Sequence, residues 1–212
     1  MSTYRLKAAY DWSPDSVWLI GTPSSVAKST FFYVQEVGRF KTGPKYFTER
    51  ENLNSYLIVF TIAGKGYLHY MGSDYTLLPK QAFFIDCKEY QYYRTDATDL
   101  WEIAWVHFNG GTSPGYYQLF AKRGSPVVTL AHDTPVPTII NQLIDIHQRK
   151  DVRTEPISSK LLVELLTHML LAANDNDSSE FFIPDQIRKV MTYLDEHYDQ
   201  RLSLNDLAKT HS

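Results

Sequence analysis

The sequence has 212 residues, of which 43% are hydrophobic and 14% aromatic, and its formal net charge is −3 at pH 7. This length suits one medium domain with a core plus a short second unit, and it excludes two large domains. The negative charge argues against a chain whose main task is to hold nucleic-acid phosphates, because such chains usually carry a basic excess.

The ends and the cysteine content point to a cytoplasmic protein. The first ten residues are followed by Asp11, Pro14 and Asp15 instead of an apolar stretch, so no secretory signal is predicted. Cys87 is the only cysteine, which excludes an internal disulfide and fits a reducing compartment. No segment approaches the roughly 18 unbroken apolar residues that a membrane span needs, so no membrane contact is expected.

Between about residue 30 and residue 130, short aromatic and β-branched runs alternate with turn residues, a pattern typical of an antiparallel sandwich or barrel. We expect Gly38 to end the first of these runs. Gly64 and Gly66 should form a hairpin, because glycine readily takes the positive φ of a tight turn. The predicted strands cover residues 31–37, 56–62, 67–70, 75–78, 82–86, 89–94 and 100–108.

Side chains alternate between two faces along a strand, so the last of these runs separates into two sets. The members of one set are Trp101, Ile103, Trp105 and His107, and those of the other are Glu102, Ala104, Val106 and Phe108. One face of this strand should therefore line an interior.

Beyond about residue 130, the spacing of apolar residues changes from two toward 3.6, which predicts two consecutive helices. The first is expected over 136–147, and the second, with a wider apolar stripe, over 157–170. Residues 174–179 are polar and predict a linker between folding units. A third helix should begin near residue 184, and Ser203 should cap the start of a fourth.

Two parts of the sequence carry a family resemblance. Residues 187–198, followed by 202–208, resemble the opening of the helix-turn-helix domain of the AraC/XylS family of bacterial transcription regulators. Upstream stretches resemble the cupin-like effector-binding domain of the same family, at residues 46–50, 56–60, 64–67, 75–77 and 105–108. In that domain Gly-Asp commonly follows a Leu-x-Pro turn, where this chain has Lys80-Gln81, so we expect this turn to differ.

The resemblance implies a mainly β fold with some α: a cupin-like antiparallel β-barrel, or double-sheet jelly roll, followed by helices. The effector-binding barrel and its N-terminal arm would cover residues 1–130, and a helical dimerisation segment 131–173. A linker would cover 174–184, and the truncated start of a helix-turn-helix DNA-binding domain 185–212.

The function implied is that of a ligand-responsive transcription regulator. The family senses a small molecule, with a carbohydrate favoured here, inside the barrel, and a homodimer then controls promoter DNA. A recognition helix enters the major groove to reach base edges. The part of the family pattern that holds this helix is absent from the sequence, so no DNA-binding residue is assigned, and we expect the chain to sense and dimerise.

Five candidate ligand-binding residues follow, four of them from the resemblance to sugar-sensing members of the family. They are Arg50, Tyr90, Tyr92 and Trp105, joined by His107 on the alternation of its strand. A guanidinium offers a rigid fork of donors to hydroxyl or carboxylate oxygens, and an indole can stack on the apolar face of a sugar. Tyrosine hydroxyls can serve as polar groups in an apolar cavity. Tyr93 is then expected to point away.

Each of these residues also has a purely structural interpretation. Arg50 could be an exposed arginine at the mouth of the barrel, Trp105 a core residue, and His107 a buried histidine with satisfied hydrogen bonds. Tyr10, Trp12 and Trp18 are candidate aromatics of an N-terminal lid that closes over the ligand in some relatives. Disorder of the terminus is the competing expectation.

The family role of the second helix assigns Leu161, Leu165 and Met169 to dimerisation, with ordinary core packing as the alternative. The alternative for the whole chain is a cupin-fold enzyme, isomerase or dioxygenase-like, whose barrel would hold a metal on closely spaced histidines. His69 has no second histidine two positions away, and His107 lies far along the chain. We therefore predict no metal, no cofactor and no catalytic residue.

Overall fold

The computed structural model describes residues 3–175, 185–200, 203 and 207. By its internal contacts, the chain divides into two units, residues 1–173 and residues 174–212. The strands are β1 (Arg5–Ala9), β2 (Val17–Ile20), β3 (Tyr33–Lys41), β4 (Phe47–Glu51), β5 (Tyr56–Ala63), β6 (Gly66–Tyr70), β7 (Ser73–Leu77), β8 (Gln81–Asp86), β9 (Gln91–Thr95), β10 (Glu102–Asn109) and β11 (Val127–Thr129). The helices are α1 (Ser25–Thr30), α2 (Ser113–Ala121), α3 (Val136–Arg149), α4 (Thr154–Asp175) and α5 (Asp185–Glu196).

The strands form two antiparallel sheets. One has five strands in the order β1-β4-β9-β6-β7, and the other has six in the order β11-β8-β5-β10-β3-β2. All pairs of neighbouring strands are antiparallel. The prediction of a mainly β, cupin-like barrel of two antiparallel sheets followed by helices is confirmed.

The six-stranded sheet is buried on both of its faces. Inner side chains of its central strands, such as Val59 and Trp105, belong to a core between the two sheets. Outer side chains, such as Ile58 and Val106, belong to a second core that includes residues of α2, α3 and α4. Burial on both faces explains why β5 reads as a continuous apolar run instead of an alternating one.

Helices α3 and α4 confirm the two helices predicted from the 3.6-residue spacing, and α4 is longer than predicted at both ends. Leu161, Leu165 and Met169 are 5%, 0% and 0% exposed and belong to the core of the six-stranded sheet. The assignment of these three side chains to a dimer interface does not hold, because they are enclosed by their own chain. They follow the alternative of ordinary core packing.

Among the described residues, only Thr154–Asn174 is long and apolar enough to be considered as a membrane span by length and composition. Its buried leucines account for that composition. The third predicted helix matches α5. Most of the predicted linker, and most of the predicted fourth helix after Ser203, lie outside the described residues. The domain boundaries proposed from the sequence stay predictions.

Two predictions about glycine are wrong. Strand β3 continues through Gly38, where a Cβ would clash with the backbone oxygen of Val17 on β2 and lie 2.9 Å from Cζ2 of Trp105, so glycine is needed for the close approach of both. Gly64 and Gly66 do not form a hairpin, because β5 and β6 belong to different sheets. The tight hairpin instead joins β6 and β7 through Met71 and Gly72, whose φ values are 48° and 76°.

The turn before β8 carries Lys80-Gln81 where the family pattern has Gly-Asp, and the expectation that its geometry differs from that of the family stays a prediction. Lys80 has a φ of 70°, in the left-handed region that favours glycine. Its backbone nevertheless carries two hydrogen bonds, since its N–H donates to the Thr61 carbonyl at 3.0 Å and its carbonyl accepts from Leu130 at 2.9 Å. Oε1 of Gln81 accepts from the Leu78 N–H at 2.9 Å, so this backbone donor of the turn has a hydrogen-bond partner. The chain thus tolerates a strained lysine at this turn.

Replacing Lys80 by glycine should stabilise the protein. The substitution relieves the strain of the left-handed backbone, and its only cost is the larger conformational entropy that glycine loses on folding. The free energy of unfolding should therefore rise by about 0.5–1 kcal/mol. Thermal unfolding should therefore show a melting temperature higher by about 1–4 °C. The control is Lys88→Gly at an exposed lysine whose φ is not positive, which should give no gain. An unchanged or lower melting temperature for Lys80→Gly would show that the left-handed conformation of Lys80 does not destabilise the folded protein.

Candidate functional site

A cavity of about 610 Å³, including its open mouth, lies between the two sheets. We call it the inter-sheet cavity. Its walls come from β1, β2, β3, β4, β5, β9 and β10, together with the segments that precede β1, β2 and β4. The lining residues are Tyr4, Leu6, Tyr10, Trp12, Trp18, Glu36, Phe40, Tyr46, Thr48, Arg50, Leu57, Val59, Tyr93, Ile103, Trp105 and His107.

Strand register places one wall of the cavity in two rows across the six-stranded sheet. Residues directly opposite each other on paired strands point to the same face. The first row runs Val59, Trp105, Gly38 and Trp18. The second runs Leu57, His107, Glu36 and Ile20. The rows therefore bring an indole, an imidazole and a carboxylate from neighbouring strands to one surface.

The facing wall comes from the five-stranded sheet. Thr48 and Arg50 are two residues apart on β4, so they share the inner face, and Tyr93 of β9 lies opposite Thr48. Glu49, between them, points outward and accepts from the Tyr90 hydroxyl. This alternation places the one arginine of β4 inside the barrel.

A chain of hydrogen bonds joins the two sheets through His107. Nη1 of Arg50 lies 2.6 Å from Nε2 of His107, and Nδ1 of His107 lies 3.0 Å from Oγ of Ser55. Since a guanidinium has no acceptor, Arg50 donates to Nε2. Nδ1 therefore carries the proton and donates to Ser55, whose hydroxyl in turn donates to the Tyr56 carbonyl at 3.2 Å. All hydrogen-bonding atoms of the imidazole are thus engaged.

Burial holds His107 in its neutral form. The side chain is enclosed in the barrel, which lowers the pKa of the imidazole well below its ordinary value, and the positive charge of Arg50 lowers that pKa further. A neutral imidazole is also what the hydrogen-bond chain requires, because a protonated one could not accept from Arg50.

Two buried donors in this cavity have no hydrogen-bond partner. They are Nε of Arg50 and Nε1 of Trp105. Trp105 is 6% exposed, and its ring lies 5.1 Å from that of Phe40 and 5.8 Å from that of His107. Buried polar groups are usually satisfied. The arrangement can therefore accept hydrogen-bond acceptors brought by a bound molecule.

Aromatic residues of the N-terminal segment form the outer part of the cavity. Tyr10, Trp12 and Trp18 contact one another, with ring centroids 5.3, 5.9 and 6.0 Å apart. Trp12 also stacks on Phe40 at 4.2 Å, and Nε1 of Trp18 donates to Oε2 of Glu36 at 3.0 Å. The three candidate lid aromatics are thus brought together at the cavity.

The structure brings together three of the five predicted ligand-binding residues: Arg50, Trp105 and His107. Tyr90 and Tyr92 do not line the inter-sheet cavity, whereas Tyr93 does. The prediction that Tyr90 and Tyr92 face the ligand and that Tyr93 points away is therefore wrong. Tyr90 is 41% exposed, and Tyr92 contacts Phe47 on the outer face of the five-stranded sheet. Gln91, which lies between them on β9, is fully buried.

Several cavity residues were missed by sequence reasoning: Glu36, Phe40, Tyr46, Thr48 and Tyr93. Charged neighbours carry the signal that could have found two of them, Thr48 and Tyr93. Arg94 has to face solvent, so Tyr93 faces inward, and the same argument from Glu49 places Thr48 and Arg50 inside. No comparable signal marks the others.

The described residues contain no group of three histidine, cysteine, aspartate or glutamate side chains that could hold a metal ion. His69 pairs with Asp74, with Nδ1 and Oδ1 2.8 Å apart. In the inter-sheet cavity, Nε2 of His107 is already occupied by Arg50.

The model of the AraC-like ligand binding domain family matches residues 33–168, so the chain belongs to this family. It is thus a ligand-binding domain of the type found in AraC-like regulators. None of the curated proteins matches the sequence.

Solved structures with a similar fold include two transcription regulators and a predicted enzyme. The AraC-like transcriptional activator CuxR is 10% identical, with a TM-score of 0.46 over 98% of this chain and 75% of that one. The Cupin_2 domain of an XRE family transcriptional regulator from Enterobacter cloacae is 15% identical, with a TM-score of 0.33 over 50% and 96%. A predicted oxalate decarboxylase from Thermotoga maritima is 19% identical, with a TM-score of 0.33 over 35% of this chain and 65% of that one.

The neutral state of His107 makes stability depend on pH. In the unfolded chain the imidazole takes up a proton below its ordinary pKa of 6.5, whereas the folded state holds it neutral to a lower pH. The unfolded state therefore binds more protons, and stability falls as the pH drops below about 6.5, by up to about 1.4 kcal/mol per pH unit.

His107→Gln should flatten this dependence, because the amide supplies one donor and one acceptor without titrating. Urea unfolding at several pH values between about 7 and 5 measures the slope. The exposed His132→Gln is the matched control and should keep the wild-type slope. Equal slopes for His107→Gln and wild type would show that the imidazole is not held neutral.

Proposed function

We propose that this chain senses a small polar effector, with a carbohydrate favoured, in the inter-sheet cavity. The sensing domain would act as a cytoplasmic homodimer that controls the binding of promoter DNA, and it would not be an enzyme. The observation that carries the proposal is the pair of unpartnered buried donors, Nε of Arg50 and Nε1 of Trp105, in one cavity. The family membership supports the same function.

The two unsatisfied donors of the cavity carry an energetic cost in the absence of a ligand. Leaving a buried donor without a partner costs about 1–3 kcal/mol, so two such groups are a burden unless a ligand completes them. A hydroxyl-rich molecule would supply the acceptors. The indole of Trp105 and the ring of Trp12 offer flat apolar surface for the C–H face of a sugar.

The enzyme alternative is less well supported by the residues of the cavity. Metal-dependent cupin chemistry needs several convergent ligands. The lining includes one imidazole, His107, whose free lone pair accepts from Arg50, and one carboxylate, Glu36, which accepts from Trp18. Both groups serve the existing hydrogen-bond network.

Effector binding would reach the helices through the six-stranded sheet. Trp105 and Val106 are neighbours on β10; one faces the cavity and the other faces the core that includes α3 and α4. A ligand that binds one arrangement of this sheet more tightly than another shifts the population toward it. The helical side of the sheet would then change together with the cavity side.

Effector binding is tested by thermal shift against a panel of mono- and oligosaccharides. A ligand that binds only the folded state at about 100 times its dissociation constant should stabilise it by about 2.7 kcal/mol. Arg50→Ala should abolish the shift, because it removes the central donor. Arg94→Ala is the matched control, since the Arg94 guanidinium lies 4.4 Å from the Tyr67 ring and does not line the cavity.

A ligand shift that survives Arg50→Ala would remove Arg50 from the site. If every sugar fails and a molecule of another class binds in an Arg50-dependent way, the carbohydrate part of the proposal is wrong and effector sensing stands. Turnover of a bound sugar would instead favour the enzyme.

For the homodimer, we propose the exposed side of α4 in place of the buried stripe. Val163 and Leu171 are 37% and 54% exposed and lie two turns apart. Val163→Glu combined with Leu171→Glu should convert a dimer into a monomer, because the carboxylates would be buried in the interface. Light scattering after size exclusion measures the mass.

The control for the dimer test is Leu119→Glu on α2, which is 56% exposed and should leave the dimer intact. A monomeric wild-type chain would contradict the dimer, and a dimeric double variant would place the interface elsewhere.

A further inference from the structure

We infer that the effector carries a carboxylate, and that Arg50 binds this carboxylate in the inter-sheet cavity. If the effector is a carbohydrate, it is a sugar acid, such as a uronate or an aldonate. This inference rests on the proposed function, because it assigns the ligand chemistry of the same cavity.

Arg50 carries a positive charge inside the inter-sheet cavity. A guanidinium stays protonated in proteins, and a buried cation is costly unless it is paired. Within the described part of the chain, no carboxylate oxygen lies within 4.0 Å of Arg50, since the ion pairs there involve other residues. Its hydrogen-bond partner His107 is neutral. The guanidinium therefore has no counter-ion in direct contact: Glu36 acts on it only from a distance within the cavity, and a ligand carboxylate would fill the contact position.

The unpartnered polar atoms of Arg50 and Trp105 in the cavity are both hydrogen-bond donors. Nε of Arg50 and Nε1 of Trp105 are both donors, and neither group can accept. A hydroxyl could accept from them but would leave the cation uncompensated. A carboxylate supplies two acceptor oxygens together with the opposite charge, and its hydrogen bonds to a guanidinium are among the stronger ones.

The charged residues of the lining limit how much negative charge a ligand can carry. Arg50 is the only lysine or arginine in the lining, and Glu36 lies across from His107 on the neighbouring strand. The single cation can pair with one ligand carboxylate, whereas Glu36 repels negative charge and so disfavours a phosphate dianion. Glu36 keeps one oxygen on Trp18, and as an acceptor it suits ligand hydroxyls. A hydroxylated monocarboxylate matches both groups.

The test compares matched pairs of ligands that differ in the carboxylate. Calorimetric titrations would use galacturonate against galactose, glucuronate against glucose, and gluconate against sorbitol. In at least one pair the acid should bind about 10- to 100-fold more tightly, as a charge-assisted contact with a buried guanidinium implies. The binding pair is then carried into the variants.

Three variants separate the charge from the fold. Arg50→Gln should reduce the preference for the acid to about onefold, while Arg50→Lys, which keeps the charge, should retain part of it. Glu36→Gln should change affinity in the opposite direction and tighten the acid, because a like charge is removed from the cavity. Arg94→Gln on the outer face is the matched control and should leave the preference unchanged.

The outcomes distinguish this inference from the proposed function. Neutral sugars that bind as tightly as their acids would overturn the carboxylate and leave sugar sensing intact. Simple hydroxy acids that bind in an Arg50-dependent way, while no sugar or sugar acid binds, would support the carboxylate and reject the carbohydrate. An acid preference that persists in Arg50→Gln, or a panel in which no carboxylate binds, would overturn the inference.

Discussion

The six-stranded sheet is enclosed on both faces, and this constraint shapes the rest of the molecule. Its inner side chains fill the space between the sheets, and its outer ones pack with α2, α3 and α4. A polar group placed in such a sheet has to be satisfied within the protein or by a ligand. His107 meets this condition through Arg50 and Ser55, whereas Nε1 of Trp105 does not. The unsatisfied indole N–H lies on the side of the sheet that faces the inter-sheet cavity.

The parts of the fold that could be predicted are those with a strong period. The 3.6-residue spacing gave α3 and α4, and the continuous apolar runs gave β5, β8 and β10. Strands β1, β2 and β4 were missed because they are short, and β1 and β4 carry charged residues on their exposed faces. The glycines at 64 and 66 indicated a turn correctly, but turn chemistry does not say which strand becomes the partner, and β5 and β6 pair with other strands.

The site could be predicted only in part, for two different reasons. Arg50, Trp105 and His107 followed from the family resemblance and from alternation along β10. The match to sugar-sensing relatives put Tyr90 and Tyr92 inside, which is one residue out of phase with Gln91 and Tyr93, the side chains that are buried here. The contact between Arg50 and His107 joins residues 57 positions apart in opposite sheets, and no local pattern indicates it.

The bond from Arg50 to His107 also affects how a ligand would bind. Arginine has a long, flexible side chain, and ordering such a chain on binding costs about 0.5–1.5 kcal/mol. Here Nη1 is already fixed on an imidazole that is itself anchored to Ser55. The cavity is therefore preorganised: the guanidinium is aimed before the ligand arrives, and binding energy is not spent on ordering it. Selectivity then resides in rigid strands and not in loops that adapt to many shapes.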